Sequence, residues 1–193
     1  MYKGVIIPGE EIGTTEEYIA GNGTFEKDGK IIASVLGFLK VDENERRVEV
    51  EPINPPAIIR KHSTVYCVVE DLKQAMAIVD VISVDSKVRD IAGTTQGAIH
   101  ISKISPKYVD NITSVLRIGD ILRAGVLQSE PTIQLYINEP HLGVIKAYCV
   151  RCRRPLIRKP NLKENTLYCE NCDRFETRKI ADDYGNVVPE WKK

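Results

Sequence analysis

The chain has 193 residues, with 27 basic and 27 acidic side chains that cancel at neutral pH. Apolar residues make up 42% of it, and nowhere do they gather into the ~20-residue run that a spanning helix needs. The balance describes a globular chain of one to three small domains, without a spanning helix, and does not by itself suggest a strong nucleic-acid binder.

The charge is unevenly placed. Residues 1–58 are acidic, residues 59–146 are close to neutral, and residues 147–193 are basic. Near the start, Val5-Ile6-Ile7 stops at Pro8, too short for a secretory core. A cytoplasmic location is therefore expected.

The first part, 1–58, reads as short strands and tight turns. Pro8-Gly9-Glu10-Glu11-Ile12-Gly13 and Gly21-Asn22-Gly23-Thr24-Phe25 are turn-rich, and Asp28-Gly29 is a hairpin signal. An apolar run over 30–39 is expected to be one strand. Arg47-Val48-Glu49-Val50-Glu51 alternates as a half-exposed strand does. The segment predicts a small β-barrel or sandwich domain, closed by Asn54-Pro55-Pro56.

The second part, 59–146, predicts five strands, over 63–70, 74–84, 97–101, 120–127 and 132–137. A short helix or helical turn is expected over 105–116, between the third and fourth. Five strands with one insert after the third is the plan of an OB-fold barrel. The fold class is mainly β throughout.

The third part, 147–193, holds four of the five cysteines. Cys149-x₂-Cys152 and Cys169-x₂-Cys172 have the spacing of a structural zinc ribbon. Two such turns supply four thiolates in a tetrahedron around one Zn²⁺, leaving no position for a catalytic water. Some 45 residues cannot bury an adequate core, so the metal would supply folding energy. Two disulfides would need an oxidising compartment, and a redox pair would need only one CxxC. A rubredoxin-type iron site uses the same two pairs. Cys67 is expected to be apolar filling in a strand. No nucleophile–base pair, paired carboxylates or phosphate loop occurs, so the expectation is a binding protein and not an enzyme.

Three features of the middle part go beyond a generic barrel: Gly97-Ala98-Ile99-His100-Ile101-Ser102, Arg117-Ile118-Gly119-Asp120-Ile121-Leu122-Arg123-Ala124, and the strand ending Leu135-Tyr136. Together they resemble the S1-type OB fold of RNA-binding proteins. With the N-terminal β-domain before it and the ribbon after Glu139–Cys149, the whole chain resembles the archaeal exosome cap subunit of the S1/zinc-ribbon type. Ribbons and S1-type barrels also occur in transcription and translation accessory factors, which are the alternative.

The resemblance implies a non-catalytic role in RNA degradation and processing. Such a cap sits with other cap subunits on a hexameric ring of RNase PH-like subunits and guides single-stranded RNA to the pore. The N-terminal domain would dock on the ring, with Tyr18, Ile19, Thr24 and Phe25 as candidates by analogy. A DnaG-type primase homologue is a further implied partner. His100 matches the family's histidine on the binding face. Lys87, Arg89, Lys103, Lys107, Tyr108, Arg117 and Arg123 are the accompanying candidates, since single-stranded RNA needs cations and flat groups. Where many S1-type domains carry aromatics, this chain has Leu72-Lys73-Gln74-Ala75-Met76. Weak, sequence-tolerant and salt-sensitive RNA binding is therefore expected.

Overall fold

The computed structural model describes residues 2–85, 89–159 and 163–186. Among these it contains strands and two single 3₁₀ turns, and no α-helix. Among the described residues no helix is long and apolar enough to cross a membrane. The chain forms two compact units, Met1–Pro55 and Pro56–Lys193.

The N-terminal unit is two small sheets around one core. Strands β1 (Tyr2–Ile6), β2 (Glu11–Thr14), β3 (Ile19–Ala20), β4 (Thr24–Lys27), β5 (Lys30–Ala33), β6 (Gly37–Asp42) and β7 (Arg47–Pro52) pair in the orders β1-β6-β7-β3 and β2-β5-β4. Ile31 and Ala33 of one sheet pack with Leu39, Val48 and Val50 of the other. Asp28 and Gly29 both take positive φ, 53° and 76°, which gives the β4–β5 hairpin a twist that matches its strands.

The apolar run expected as one strand over 30–39 is two strands in different sheets. The break has a steric cause. Any Cβ at Gly37 would overlap the Glu51 carbonyl, so β6 starts where the two backbones cross closely. From Gly37 on, burial alternates, leaving Leu39 inside and Phe38 outside.

The second unit begins with a barrel of β8 (Thr64–Leu72), β9 (Met76–Val84), β10 (Gln96–His100), β11 (Ile121–Gln128) and β12 (Ile133–Tyr136). β9 pairs with β8 and β10, β12 runs parallel to β10 and antiparallel to β11, and β11 returns to β8. The five strands therefore close on themselves. Alternate side chains fill the interior, Cys67 among them with no exposure. Burial, and then Asp80, push its thiol far above the ordinary range. The insert expected over 105–116 is condensed into one 3₁₀ turn, Ile112–Ser114, with another at Ile101–Lys103. Asn111 caps the former through Thr113 N at 2.9 Å, and His100 caps the latter through Ser102 N at 3.3 Å.

Beyond the barrel come β13 (Gly143–Lys146), paired to β11, and the hairpin of β14 (Thr166–Cys169) and β15 (Arg174–Thr177). Barrel and hairpin share one buried core, in which Val144 and Ala147 meet Leu156, Leu167 and Ile180. After β15 the chain turns back onto the barrel. Lys179 O accepts from Val144 N at 2.8 Å, and Ala181 N donates to Val144 O at 3.0 Å. Gly143, at φ 131°, makes room, because a Cβ there would sit 2.7 Å from Lys179 O. The Tyr184 hydroxyl accepts from Ala147 N at 3.1 Å and donates to Leu156 O at 2.8 Å.

At the heart of this junction lies a buried ionic group. Arg178 and Asp120 are each 1% exposed. Arg178 Nε donates to Asp120 Oδ2, Nη2 to Glu176 Oε2 and Nη1 to Thr177 O, each at 2.8 Å. Asp120 Oδ2 also accepts from Arg117 N at 2.8 Å, and Glu176 Oε1 from Val150 N at 3.1 Å. Removing the guanidinium would leave two buried carboxylates without their cation. Arg178→Met should cost about 3–5 kcal/mol in denaturant unfolding of the metal-loaded protein. Asp120→Asn, which keeps an acceptor for both of its partners, should cost less.

Candidate metal centre and nucleic-acid interface

Each CxxC forms a tight knuckle. Cys149 O accepts from Arg153 N, and Cys149 N donates to Arg154 O, both at 2.9 Å. The second knuckle is the turn joining β14 to β15, where Cys169 stands opposite Arg174. The residue following the second cysteine of each pair takes left-handed φ, 59° at Arg153 and 49° at Asp173. The two knuckles thus repeat one backbone shape, and face their sulfurs together. All four Sγ atoms lie within 4.8 Å of one another, with Cys152 and Cys169 3.5 Å apart.

Zn–S bonds of about 2.3 Å imply sulfur–sulfur edges of about 3.8 Å, so the constellation needs only a small adjustment to hold a tetrahedral ion. Cys149 and Cys169 are buried, and Cys152 and Cys172 are partly exposed. Burial pushes the Cys149 thiol up to about 12, whereas the backbone N–H of Arg154 brings Cys152 down to about 6. A bound cation must displace those protons, so metal affinity falls as the medium becomes acidic. Arg151, Arg153 and Arg154 are exposed around the first knuckle. The Arg153 guanidinium reaches the Gly119 turn of the barrel, where a Cβ on Gly119 would lie 3.8 Å from Nη1.

The nucleic-acid candidates fall into groups. His100 ends β10 on the outer barrel face, directly opposite Met76 of β9. Its ring Nδ1 lies 2.8 Å from Ser102 Oγ. With Ala98, Lys103 and Gln134 it lines a shallow cavity of about 350 Å³. A neighbouring cavity of about 320 Å³ shares Ser102 and is lined by Lys107 and Tyr108, the latter 91% exposed. Four candidates distant from one another by up to eight residues are thereby gathered on one end of the barrel.

The remaining candidates lie elsewhere. Arg123 is bound within the chain. Its Nη1 and Nη2 donate to the Asp183 carboxylate at 3.0 and 2.6 Å, and Nε donates to His141 O at 2.9 Å. It locks β11 to the returning segment. Arg117 precedes the Gly119-Asp120 turn, and its backbone serves Asp120. Arg89 lies in the loop before β10, and Lys87 lies outside the described residues.

In the N-terminal unit, Ile19 and Phe25 are exposed. Tyr18 packs on the core, and the Thr24 hydroxyl donates to Gly21 O at 2.8 Å. Phe38 and Val5, which face each other across β6 and β1, are also exposed and were not among the docking candidates. The alternation from Gly37 onward was the signal that would have shown Phe38 pointing outward.

A family model described as the exosome complex exonuclease RRP4 N-terminal region matches residues 5–42, within the N-terminal unit. The chain is 33% identical over 180 residues to the exosome complex component Csl4 of Archaeoglobus fulgidus, an alignment covering 93% of this chain and 96% of that protein. The chain belongs to the Csl4 family. It is also 28% identical over 144 residues to the exosome complex component Rrp4 of Methanothermus fervidus, covering 75% of this chain and 59% of that one. The Rrp4 of Methanobrevibacter smithii matches at 26% over 120 residues, covering 62% and 36%. The alignment to Csl4 is long enough to take in both compact units, barrel and cysteine hairpin included.

The knuckle geometry of this Csl4-family chain makes a testable point. Left-handed φ costs a Cβ-bearing residue about 1–2 kcal/mol, and glycine nothing. Arg153→Gly should therefore be more stable than Arg153→Ala by about 1 kcal/mol, measured by denaturant unfolding of the metal-loaded protein. Both variants lose the same contacts with the Gly119 turn, so the difference isolates the backbone.

Proposed function

We propose that this protein is the non-catalytic, RNA-binding cap subunit of an archaeal-type exosome, acting in the cytoplasm. The observation that carries the reading is the match to Csl4 along nearly the whole chain. The site chemistry agrees with it. Four thiolates close a metal site with no free position, and His100, Lys103, Lys107 and Tyr108 surround two adjoining cavities on the barrel. That is a binding surface, with cations for phosphate and a flat ring for bases. Arg89, Arg117 and Lys87 add charge to the same unit. Arg123, held by Asp183, shapes it from within.

The metal is one structural Zn²⁺ bound by Cys149, Cys152, Cys169 and Cys172. Elemental analysis of the native protein should find one zinc per chain, and chelation at mildly acid pH should lower the thermal midpoint. Visible absorption from iron–thiolate bonds would overturn the zinc assignment.

The partners are a ring of RNase PH-like subunits, the other cap subunits, single-stranded RNA and a DnaG-type primase homologue. The N-terminal unit makes the ring contact through exposed side chains such as Ile19 and Phe25. Ala57 and Ile59 are buried in the core of the barrel unit, so a clean truncation ends at Pro55. The truncated chain should keep its zinc and lose co-elution with the ring. Continued co-elution would sink the docking assignment. Filter binding of the full chain to single-stranded RNA should be weak and should fall steeply with added salt. Tight, salt-insensitive binding would contradict the proposed surface.

A further inference from the structure

The cysteine hairpin carries a surface that metal binding does not explain. Tyr168 and Phe175 stand opposite each other on its outer face, ring centroids 5.2 Å apart and tilted by 44°. Phe175 is 59% exposed. Lys159 Nζ sits 3.5 Å from the centroid of the Tyr168 ring. An exposed aromatic pair with an ammonium on one ring is the chemistry by which nucleic acid is held without sequence readout, bases on the rings and phosphate on the cation.

The position of the pair matters as much as its chemistry. A groove of about 250 Å³ crosses from barrel to hairpin, lined by Ser105, Pro106 and Lys107 on one side and by Arg158 and Asn165 on the other. Lys107 also lines the cavity next to the His100 site. Arg158 directly precedes Lys159, and Ile157 bridges to Tyr168. Glu164 and Asp182 also line the groove. Arg158 Nη1 donates to Asp182 O at 3.1 Å, while an Asp182 carboxylate oxygen accepts from Asp183 N at 2.9 Å. A carboxylate of the hairpin tip also borders this surface. Asp173 is taken up by the Tyr168 hydroxyl at 2.7 Å.

We propose that single-stranded RNA follows one continuous track, from the His100 face through Lys103 and Lys107, across the groove at Arg158, to the Lys159–Tyr168–Phe175 surface of the zinc hairpin. The hairpin is then a second RNA contact, held in fixed register with the barrel by their common core. This inference rests on the RNA-binding reading of the barrel, and extends the bound length beyond it.

The test compares two fluorescently labelled oligoadenylates on the full zinc-loaded chain, one of about 4 nucleotides and one of about 16, the span reported for single OB folds. Phe175→Ala combined with Lys159→Ala should weaken the long probe about tenfold, leave the short one unchanged, and reduce the salt dependence of the long one. Zinc content must stay at that of the parent, which shows that the hairpin is folded. Phe175→Tyr, which keeps a flat ring, should restore most of the long-probe affinity in an otherwise unchanged chain.

Equal long-probe affinity in parent and double variant would overturn the track and confine RNA to the barrel. Loss of exosome assembly with long-probe affinity intact would also overturn it, and would mark the surface as a protein contact. His100→Ala is the separate control. It should weaken both probes, and its failure to weaken the short one would count against the barrel reading itself.

Discussion

A guanidinium lies where no water reaches it, and the C-terminal unit is arranged around that fact. Burying an ion costs several kcal/mol, so Arg178 is admissible only with its donors filled and its charge matched. The three acceptors come from two places far apart in sequence. Asp120 lies in the turn directly before β11 of the barrel, while Glu176 and the Thr177 carbonyl belong to β15. The same Glu176 reaches the first cysteine knuckle through Val150 N. One cation therefore fixes barrel, hairpin and metal site relative to each other. The two carboxylates respond differently to sharing it. Burial lifts Asp120 to about 6, against the pull of Arg178. The hydrogen bonds from Arg178 and Val150 outweigh burial at Glu176 and bring it below its ordinary value. Asp120 is not fully repaid for its desolvation. The partners in this group come from the barrel, from β15 and from the first cysteine knuckle, so the group specifies one way for these parts to meet.

The cysteine cluster, with the ion it is shaped to hold, and this network divide the work of holding the hairpin. Four sulfurs close its two knuckles, which a short segment with few apolar side chains could not do unaided. Arg178, Lys179 and Tyr184 then fasten the closed hairpin to β13 and its neighbours, with Lys179 Nζ donating to Glu139 O at 2.7 Å and Leu142 O at 2.6 Å. Arg123 and Asp183 repeat the fastening at the other edge. The outer face of the hairpin, with Tyr168 and Phe175, is consequently a rigid surface. Rigidity lowers the entropy lost when a flexible strand is laid on it.

Local pattern made much of this legible. Two CxxC pairs at ribbon spacing announced four ligands, and the structure brings their sulfurs together. Five apolar runs separated by turns announced the barrel, because alternation reports which face of a strand is buried. Where composition was the only guide, the reading slipped. The apolar stretch at 30–39 looks continuous, and only the contact of Gly37 with Glu51 shows why it must bend. Long-range pairing was invisible. Arg178 and Asp120 are 58 residues apart, and Arg123 and Asp183 are 60 apart. Arg123 reads from sequence as a candidate RNA contact because nothing near it in the chain is its partner. Arg178 drew no notice for the same reason. Nothing in the cysteine spacing singles out Tyr168 and Phe175, which meet only when the hairpin closes.

The barrel face explains why the hairpin face is of interest. His100 stands opposite Met76, which is 38% exposed. A thioether there offers apolar contact without a stacking plane, so RNA on the proposed face would be held less firmly than on a full aromatic platform. The chain as a whole is electrically neutral and draws little on long-range attraction. What it has instead is placement. Exposed rings stand at two places on one compact unit, Tyr108 beside the barrel cavity and Phe175 against Tyr168 on the hairpin, with Lys107 and Arg158 lining the groove that links them. Two weak contacts joined by an inflexible body act as one stronger contact, because the second is made at high effective concentration once the first is in place. The buried arginine matters here for the same reason as before: without a fixed junction, the two faces could not present one strand with one path.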